Sequence, residues 1–309
     1  MRTQCLLLFF FFLVIAGSSC FAQVPVPLVG YVEGPIRELT YNLDGSATML
    51  VQNTTVSVPA TLAVQSPTTT LTVRQLCLRN RLPGRVEPGF LGGTALINGV
   101  VDPQTFVFTA TAVTVEPSEN VVIGAITSVS PLQIQGTELA ILTDPRITTQ
   151  VHNIYGFPVR MENLAVGQPA SAEGYFAANK LQCYVIELEP DAPLVTDVHQ
   201  INILRAQSRE RAPNNNRGDE VDMRGFYYTQ DGVLPLIQVF RDDGGVLTSL
   251  GFATLVPDAV HPKFGVWDFR IITPPTLDPV LGTAPVRLHA VLTGTNGATA
   301  SADIAPDLR

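Results

Sequence analysis

The stretch TFVFTATAVTVEP, Thr105 to Pro117, reads with a period of two. Val, Thr and aromatic residues fill it, Phe106 and Phe108 alternate like a strand core, and Pro117 closes it. LQCYVIELEP (Leu181 to Pro190) and PVRLHAVLTG (Pro285 to Gly294) have the same texture and the same Pro or Gly endings. Such a pattern buries one face of a strand and wets the other. Helical periodicity is almost absent from the chain, so the fold class expected is all-β.

Working outward from that strand, the segments before and after it fall into a weak internal repeat. GYVEGPIREL from Gly30 can be laid on VIGAITSV from Val122, LVQNTTVSV from Leu50 on QIQGTELAI from Gln133, and LINGVV from Leu96 on SAEGYF from Ser171. TATAVTVEP from Thr109 then answers LQCYVIELEP from Leu181, in the same order. The offset shrinks along the alignment, from Ile36/Ile126 through Val51/Ile134 to Gly99/Gly174, so the first copy carries extra loop, placed around TTLTVRQLCLRNRLPGR. Two tandem units of about five strands each follow. In NLAVGQPASAEGYF (Asn163 to Phe176), Gly167 and Pro169 read as turn formers, Gly174 as a bend or bulge and Glu173 as scaffold.

The second copy, with GAITSV, PLQIQGTELAI, DPRITT and NLAVGQPASAEGYF, resembles a small OB-like β-barrel module of unknown function from bacterial exported proteins. Leu164, Val166 and Gly167 fit its L-x-V-G element, with Gln168 in place of the common Asp. The first copy departs further, having VEPGFLGGTALING at the same place. After the acidic, Pro-containing connector EPDAPLVTD (Glu189 to Asp197), strands recur at spacings near ten. The Gly265 to Phe269 G-x-W-x-F strand and the closing NGATASADI resemble bacterial Ig-like repeats. These resemblances imply two small OB-like barrels, residues 23–119 and 120–192, and a C-terminal Ig-like β-sandwich, residues 198–309. They imply no activity. Asp242-Asp243-Gly244-Gly245 reads as a hairpin turn and Trp267 as a core residue. Because the connectors at Glu116 to Asn120 and Glu189 to Asp197 are polar, few buried contacts are expected to cross between units.

The first 22 residues read as a signal peptide: Arg2, an apolar run from Leu6 to Ala16, then small residues up to Ala22. Cleavage there leaves Gln23 first. Anchoring as a lipoprotein through Cys20 is the weaker reading, since Gly17 stands where Leu or Val is usual. No later stretch reaches the ~20 apolar residues of a transmembrane helix. Cys77 and Cys183 then remain, either paired in an oxidising compartment or buried as free thiols.

The net charge of −8 excludes a general nucleic-acid binder, which needs surplus Lys and Arg. His152, His199, His261 and His289 lie far apart in sequence, without metal-ligand spacing. Asp242-Asp243 and Glu220-Asp222 are the acidic pairs weighed as calcium ligands and set aside. Arg217-Gly218-Asp219 is a chance triplet. Catalytic, cofactor and metal residues are thus expected to be none. Of two basic patches, Arg205, Arg209, Arg211 and Arg217 form one, and Arg74, Arg79, Arg81 and Arg85 form the other; the first reading is a solvated arginine surface, and the Arg74 to Arg85 patch is the candidate surface for an anionic partner such as a polysaccharide or lipid head group. The expected function is a non-enzymatic exported envelope protein, binding or structural, whose partner is an envelope polysaccharide or another envelope protein. The alternative is a carbohydrate-binding or carbohydrate-processing accessory protein with its site on a barrel face.

Overall fold

A computed structural model describes residues 28–209, 219–272 and 285–308. The signal-peptide reading, Cys20, Gln23, Arg211, Arg217 and Gly218 lie outside the described residues. The chain is nearly all β, as its alternation predicts.

The first barrel is wound from one long strand. In β1 (Leu28–Tyr41) the first half pairs antiparallel with β6 (Thr94–Val101), and the second half with β2 (Ala47–Val51). The switch falls at Gly34 and Pro35. Pro35 has no N–H to give the ladder, and Gly34, at φ +155°, faces the Gln52 side chain so closely that a Cβ would overlap it. β2 pairs with β3 (Thr54–Val58), and β3 meets β7 (Phe108–Glu116) in parallel at Val56 and Phe108. β7 returns antiparallel along β6 and closes the barrel. A hairpin of β4 (Val64–Gln65) and β5 (Thr70–Leu71) extends the far half of β7, and a one-turn helix α1 (Val73–Leu76), boxed in by Thr72 and Gln75, follows it. Inside are Ile36, Met49, Val51, Val56, Val58, Ile97, Val113 and Val115, the inward set of each alternation.

The opening strand needs one correction. β7 begins at Phe108, which is buried, whereas Phe106 is 80 % exposed at φ +56°. Asp102 is the cause: its carboxylate accepts from the Gln104 and Thr105 N–H groups and its carbonyl from Phe106 N–H, so the chain is still turning at Phe106.

The second barrel uses β8 (Asn120–Val129), β9 (Leu132–Ile134), β10 (Thr137–Ile141), β11 (Gln150–Asn153), β12 (Pro169–Ala177) and β13 (Lys180–Leu188). β8 pairs with β9 and β12, β9 with β10, β10 in parallel with β13, and β13 with β12. That is the closure of the first barrel strand for strand, with β11 extending β13 as β4 extends β7. Irregularities match too. Ladders shift after Ile36 and after Ile126, and again at Asn98/Gly99 and Glu173/Gly174. Gly174 sits in the last of these, where a Cβ would strike the Gln182 carbonyl. Glu173 beside it is exposed.

The C-terminal strands are β14 (Gln200–Ile201), β15 (Arg205–Arg209), β16 (Glu220–Tyr228), β17 (Leu236–Asp242), β18 (Leu247–Phe252), β19 (Thr254–Pro257), β20 (Phe264–Ile272), β21 (Leu288–Thr293), β22 (Thr299–Ile304) and β23 (Asp307–Leu308). One sheet runs β19-β20-β16-β15-β23, with β14 also on β16, and the other runs β18-β17-β21-β22. They enclose one core: Val221, Met223, Tyr227 and Phe269 from the first sheet, Ile237, Val239, Ala290 and Leu292 from the second. Trp267 is fully buried in it and donates its Nε1 hydrogen to the Asn202 carbonyl at 3.0 Å. Gly244 and Gly245, both at positive φ, form the β17–β18 turn that Asp242-Asp243-Gly244-Gly245 encodes.

Buried contacts cross both seams, against the expectation from the polar connectors. Leu142, Ile147, Tyr175 and Tyr184 of the second barrel belong to the core of the first. Arg146, 4 % exposed, pairs with Asp144 at 2.7 Å and donates to the carbonyls of Asn80 (3.0 Å) and Leu78 (3.4 Å). Tyr175 and Tyr184 donate to the carbonyls of Pro83 (2.6 Å) and Ser118 (2.8 Å). The long loop of the first barrel around TTLTVRQLCLRNRLPGR supplies most of this socket. Apart from the Ser118 carbonyl, contact is made by segments remote from the connector, so the connector's composition carries little word of it. At the second seam Tyr155 stacks on Phe264, with centroids 4.8 Å apart and planes 13° from parallel, while Asn202 donates to the Tyr155 carbonyl at 2.6 Å. Cys77 and Cys183 are free thiols, and burial pushes them up to about 11 and about 12. Among the described residues no helix is long and apolar enough to cross a membrane.

Candidate functional site

Beside the Tyr155 contact the second seam opens into a cleft of about 590 Å³, within the range of small-ligand sites and at a junction of units, where such sites concentrate. One wall is the turn after β13, Pro190 to Leu194. The other is the turn between β19 and β20, Val260 to Lys263, with Tyr228 and Phe264 behind it. Prolines at 190, 193 and 262 fix these turns and contribute no N–H.

Those side chains form a chain of contacts across the seam. His261 stands between two aspartates, Nε2 3.3 Å from Asp191 Oδ1 and Nδ1 3.4 Å from Asp258 Oδ1. Asp258 also accepts from the backbone N–H of Val260 (2.8 Å) and His261 (2.7 Å), and from the Tyr155 hydroxyl (2.6 Å). The Tyr155 hydrogen bond, with the two backbone donors, holds the Asp258 carboxyl down to about 2. Tyr228 donates its hydroxyl to Asp197. Burial, followed by the partner carboxylate, raises both Tyr155 and Tyr228 above the ordinary phenol range. The Lys263 ammonium lies 5.9 Å from the centroid of the Tyr228 ring. Tyr155 and Tyr228 are therefore fixed as donors and Asp258 as an acceptor at ordinary pH.

The arginine surface is dispersed in part. Arg74, at the end of α1, and Arg79 and Arg81 beyond it are exposed. Arg85 is turned inward. A tight turn brings its N–H to the Leu82 carbonyl, and its side chain, 9 % exposed, donates to the Leu91 carbonyl at 2.6 Å beside Glu87. Of the second patch, Arg205 is paired with Asp222 at 2.7 Å, and Arg209 lies on β15. The acidic pairs are engaged with arginines: Glu220 with Arg270, Asp243 with Arg241, Asp242 with Arg287. Among the described residues no group of three or more His, Cys, Asp or Glu is arranged to hold a metal ion.

Sequence reading passed over the cleft, although a signal was there. Pro-Asp-Ala occurs at residues 190–192 and again at residues 257–259, and the two aspartates are those that flank His261.

No family model matches the sequence, and no characterised protein does at a significant level. Among solved structures, the crystal structure of the sulfane dehydrogenase SoxCD from Paracoccus pantotrophus is similar over 77 % of this chain and 68 % of that one, at 11 % identity and a TM-score of 0.22. So loose a superposition carries no argument about fold or activity.

Proposed function

We propose that the chain is a non-enzymatic exported bacterial envelope protein, a binding and structural module made of two OB-like barrels and an Ig-like sandwich. The barrel reading is supported by the strand order β1-β2-β3-β7-β6, closed on itself and shared by the second barrel. Lettering β15 to β22 as A, B, C, C′, D, E, F and G turns the C-terminal sheets into D-E-B-A and C′-C-F-G, the immunoglobulin arrangement. Export rests on Arg2, the apolar run from Leu6 to Ala16, and Ala22.

One observation carries the functional part: three units are joined by buried contacts at both seams, and a cleft at the second seam is lined by Asp191, Asp197, Tyr228, His261 and Lys263. A body joined by buried contacts across both seams suits holding or bridging, and a cleft at a junction of units suits binding. The test is co-sedimentation of the purified mature protein with insoluble envelope polysaccharide and with envelope protein fractions, alongside an assay for newly released reducing ends. Retention without release is expected. Release of sugar that disappears in an Asp191→Asn or Asp197→Asn variant would replace this reading with the carbohydrate-processing one. Intact mass checks the export step, with Gln23 expected first and a lipid-modified Cys20 counting against it.

A further inference from the structure

We infer that the cleft between the second barrel and the C-terminal sheets receives a basic, apolar-flanked segment of a partner polypeptide, with an Arg or Lys side chain set between Asp191 and Asp197. This rests on the binding part of the proposed function and adds the chemistry of the occupant. Charge sets the sign. Asp191 is 87 % exposed at the rim and Asp197 is exposed beside Tyr228; Asp258 lies behind them, held anionic by its hydrogen bonds. Against these stand Lys263 and a His261 already flanked by two carboxylates.

The walls set the rest. Pro193 and Pro262 are exposed, Val260 is 77 % exposed, and none of the three side chains carries a polar atom, so the cleft offers aliphatic surface next to carboxylate. Arg and Lys have the matching build, an apolar stem with a charged head. A saccharide is disfavoured, because Tyr228 and Phe264 are each only 5 % exposed and present no open ring face for a sugar to stack on. The cleft also holds one cation of its own. Lys263 sits over the ring whose hydroxyl is bound to Asp197, the combination of π-face and carboxylate that receives an ammonium. An incoming basic side chain would meet Lys263 as a like-charged neighbour.

That last point makes the sign testable. Fluorescence anisotropy of the full mature chain would use labelled peptides PRLPRL, PQLPQL and PELPEL, with spermidine as a competitor. The basic peptide is expected to bind at least about tenfold more tightly than the other two. Asp191→Lys should weaken it by about tenfold or more, and Lys263→Ala should strengthen it. Glu38→Lys, the same charge change on an exposed residue of β1, should leave it unaltered. Equal binding of PQLPQL, equal loss in Glu38→Lys and Asp191→Lys, weakening by Lys263→Ala, or absence of binding would each overturn the inference. Spermidine binding at the cleft without peptide binding would overturn the polypeptide occupant in favour of a free polyamine. Envelope retention that persists while the peptide fails would separate this inference from the reading beneath it.

Discussion

At the seam between the barrels, Arg146 reaches from the second barrel to the carbonyls of Leu78 and Asn80; at the next seam Tyr155 reaches out and stacks on Phe264. Both insert one large side chain into the neighbour and bind its polar end. The outcomes differ. Around Arg146 a loop brings Leu142 and Ile147, and β12 and β13 bring Tyr175 and Tyr184, into a shared core, and the gap is filled. Around Tyr155 the flanking turns are built on prolines, and a cleft remains beside the aromatic cluster. A seam closes when loop and strand side chains can supply apolar surface and hydroxyls to meet carbonyls. It stays open when its turns are rigid and lined with charge.

Breaking the closed seam should have the largest effect. Arg146→Ala leaves Asp144 without its partner and two carbonyls without their donor, at a cost of about 4 kcal/mol, typical of removing one member of a buried pair. The midpoint of urea denaturation reads this, and an unchanged midpoint would mean that the seam does not hold the barrels together. Tyr155→Ala at the open seam should cost about 3 kcal/mol, as for other buried aromatic truncations. Limited proteolysis should then release a fragment beginning near Val198 that the parent protein resists releasing. If parent and variant are cut alike, Tyr155 is not the latch.

Inside the barrels, Gly174→Val and Gly99→Val should each cost about 1–3 kcal/mol, because a Cβ at either position strikes a carbonyl across the ladder, of Gln182 or of Thr109. Markedly different costs would show that the matched bulges are not equivalent in energy. Subtler is the pH response of the open seam. Asp258 has its folded value depressed to about 2, below an unfolded value of about 3.9. Its stabilising contribution is thus present above about pH 3.9 and is lost as pH falls through about 2. Tyr155→Phe removes the first cause of the depression, so a carbon-13 NMR titration should find the Asp258 carboxyl higher in the variant. Identical curves would remove Tyr155 from the account. Smallest of all, Glu173→Gln should stay within about 0.5 kcal/mol of the parent.

Strands were legible in the sequence because alternation records burial residue by residue: Val113 and Val115 are inward where the pattern puts them. Register was legible where glycine is needed for close approach, as at Gly99 and Gly174. Phe106 was misread because alternation cannot see an Asp102 carboxylate that keeps the chain turning. Both seams were hidden, since Arg146 and Tyr155 lie in loops whose meaning depends on surfaces far away along the chain. The cleft was hidden for the same reason, and its repeated Pro-Asp-Ala gains significance only once two distant turns face each other.

The parallel contact of Val56 with Phe108 bears on how the chain reaches this state. A parallel pair cannot form by a tight hairpin; it must wait for the intervening segment, and contacts so far apart in sequence slow folding. If the chain emerges from a membrane pore N-terminus first, β1, β2 and β3 appear early and remain an open, curled sheet until β7 arrives. Even then the barrel's outer socket is unfilled until Arg146, Tyr175 and Tyr184 follow. The first barrel therefore stays committed to its successor during emergence, and a chain arrested near residue 119 would present an unfilled apolar socket to any chaperone or protease within reach.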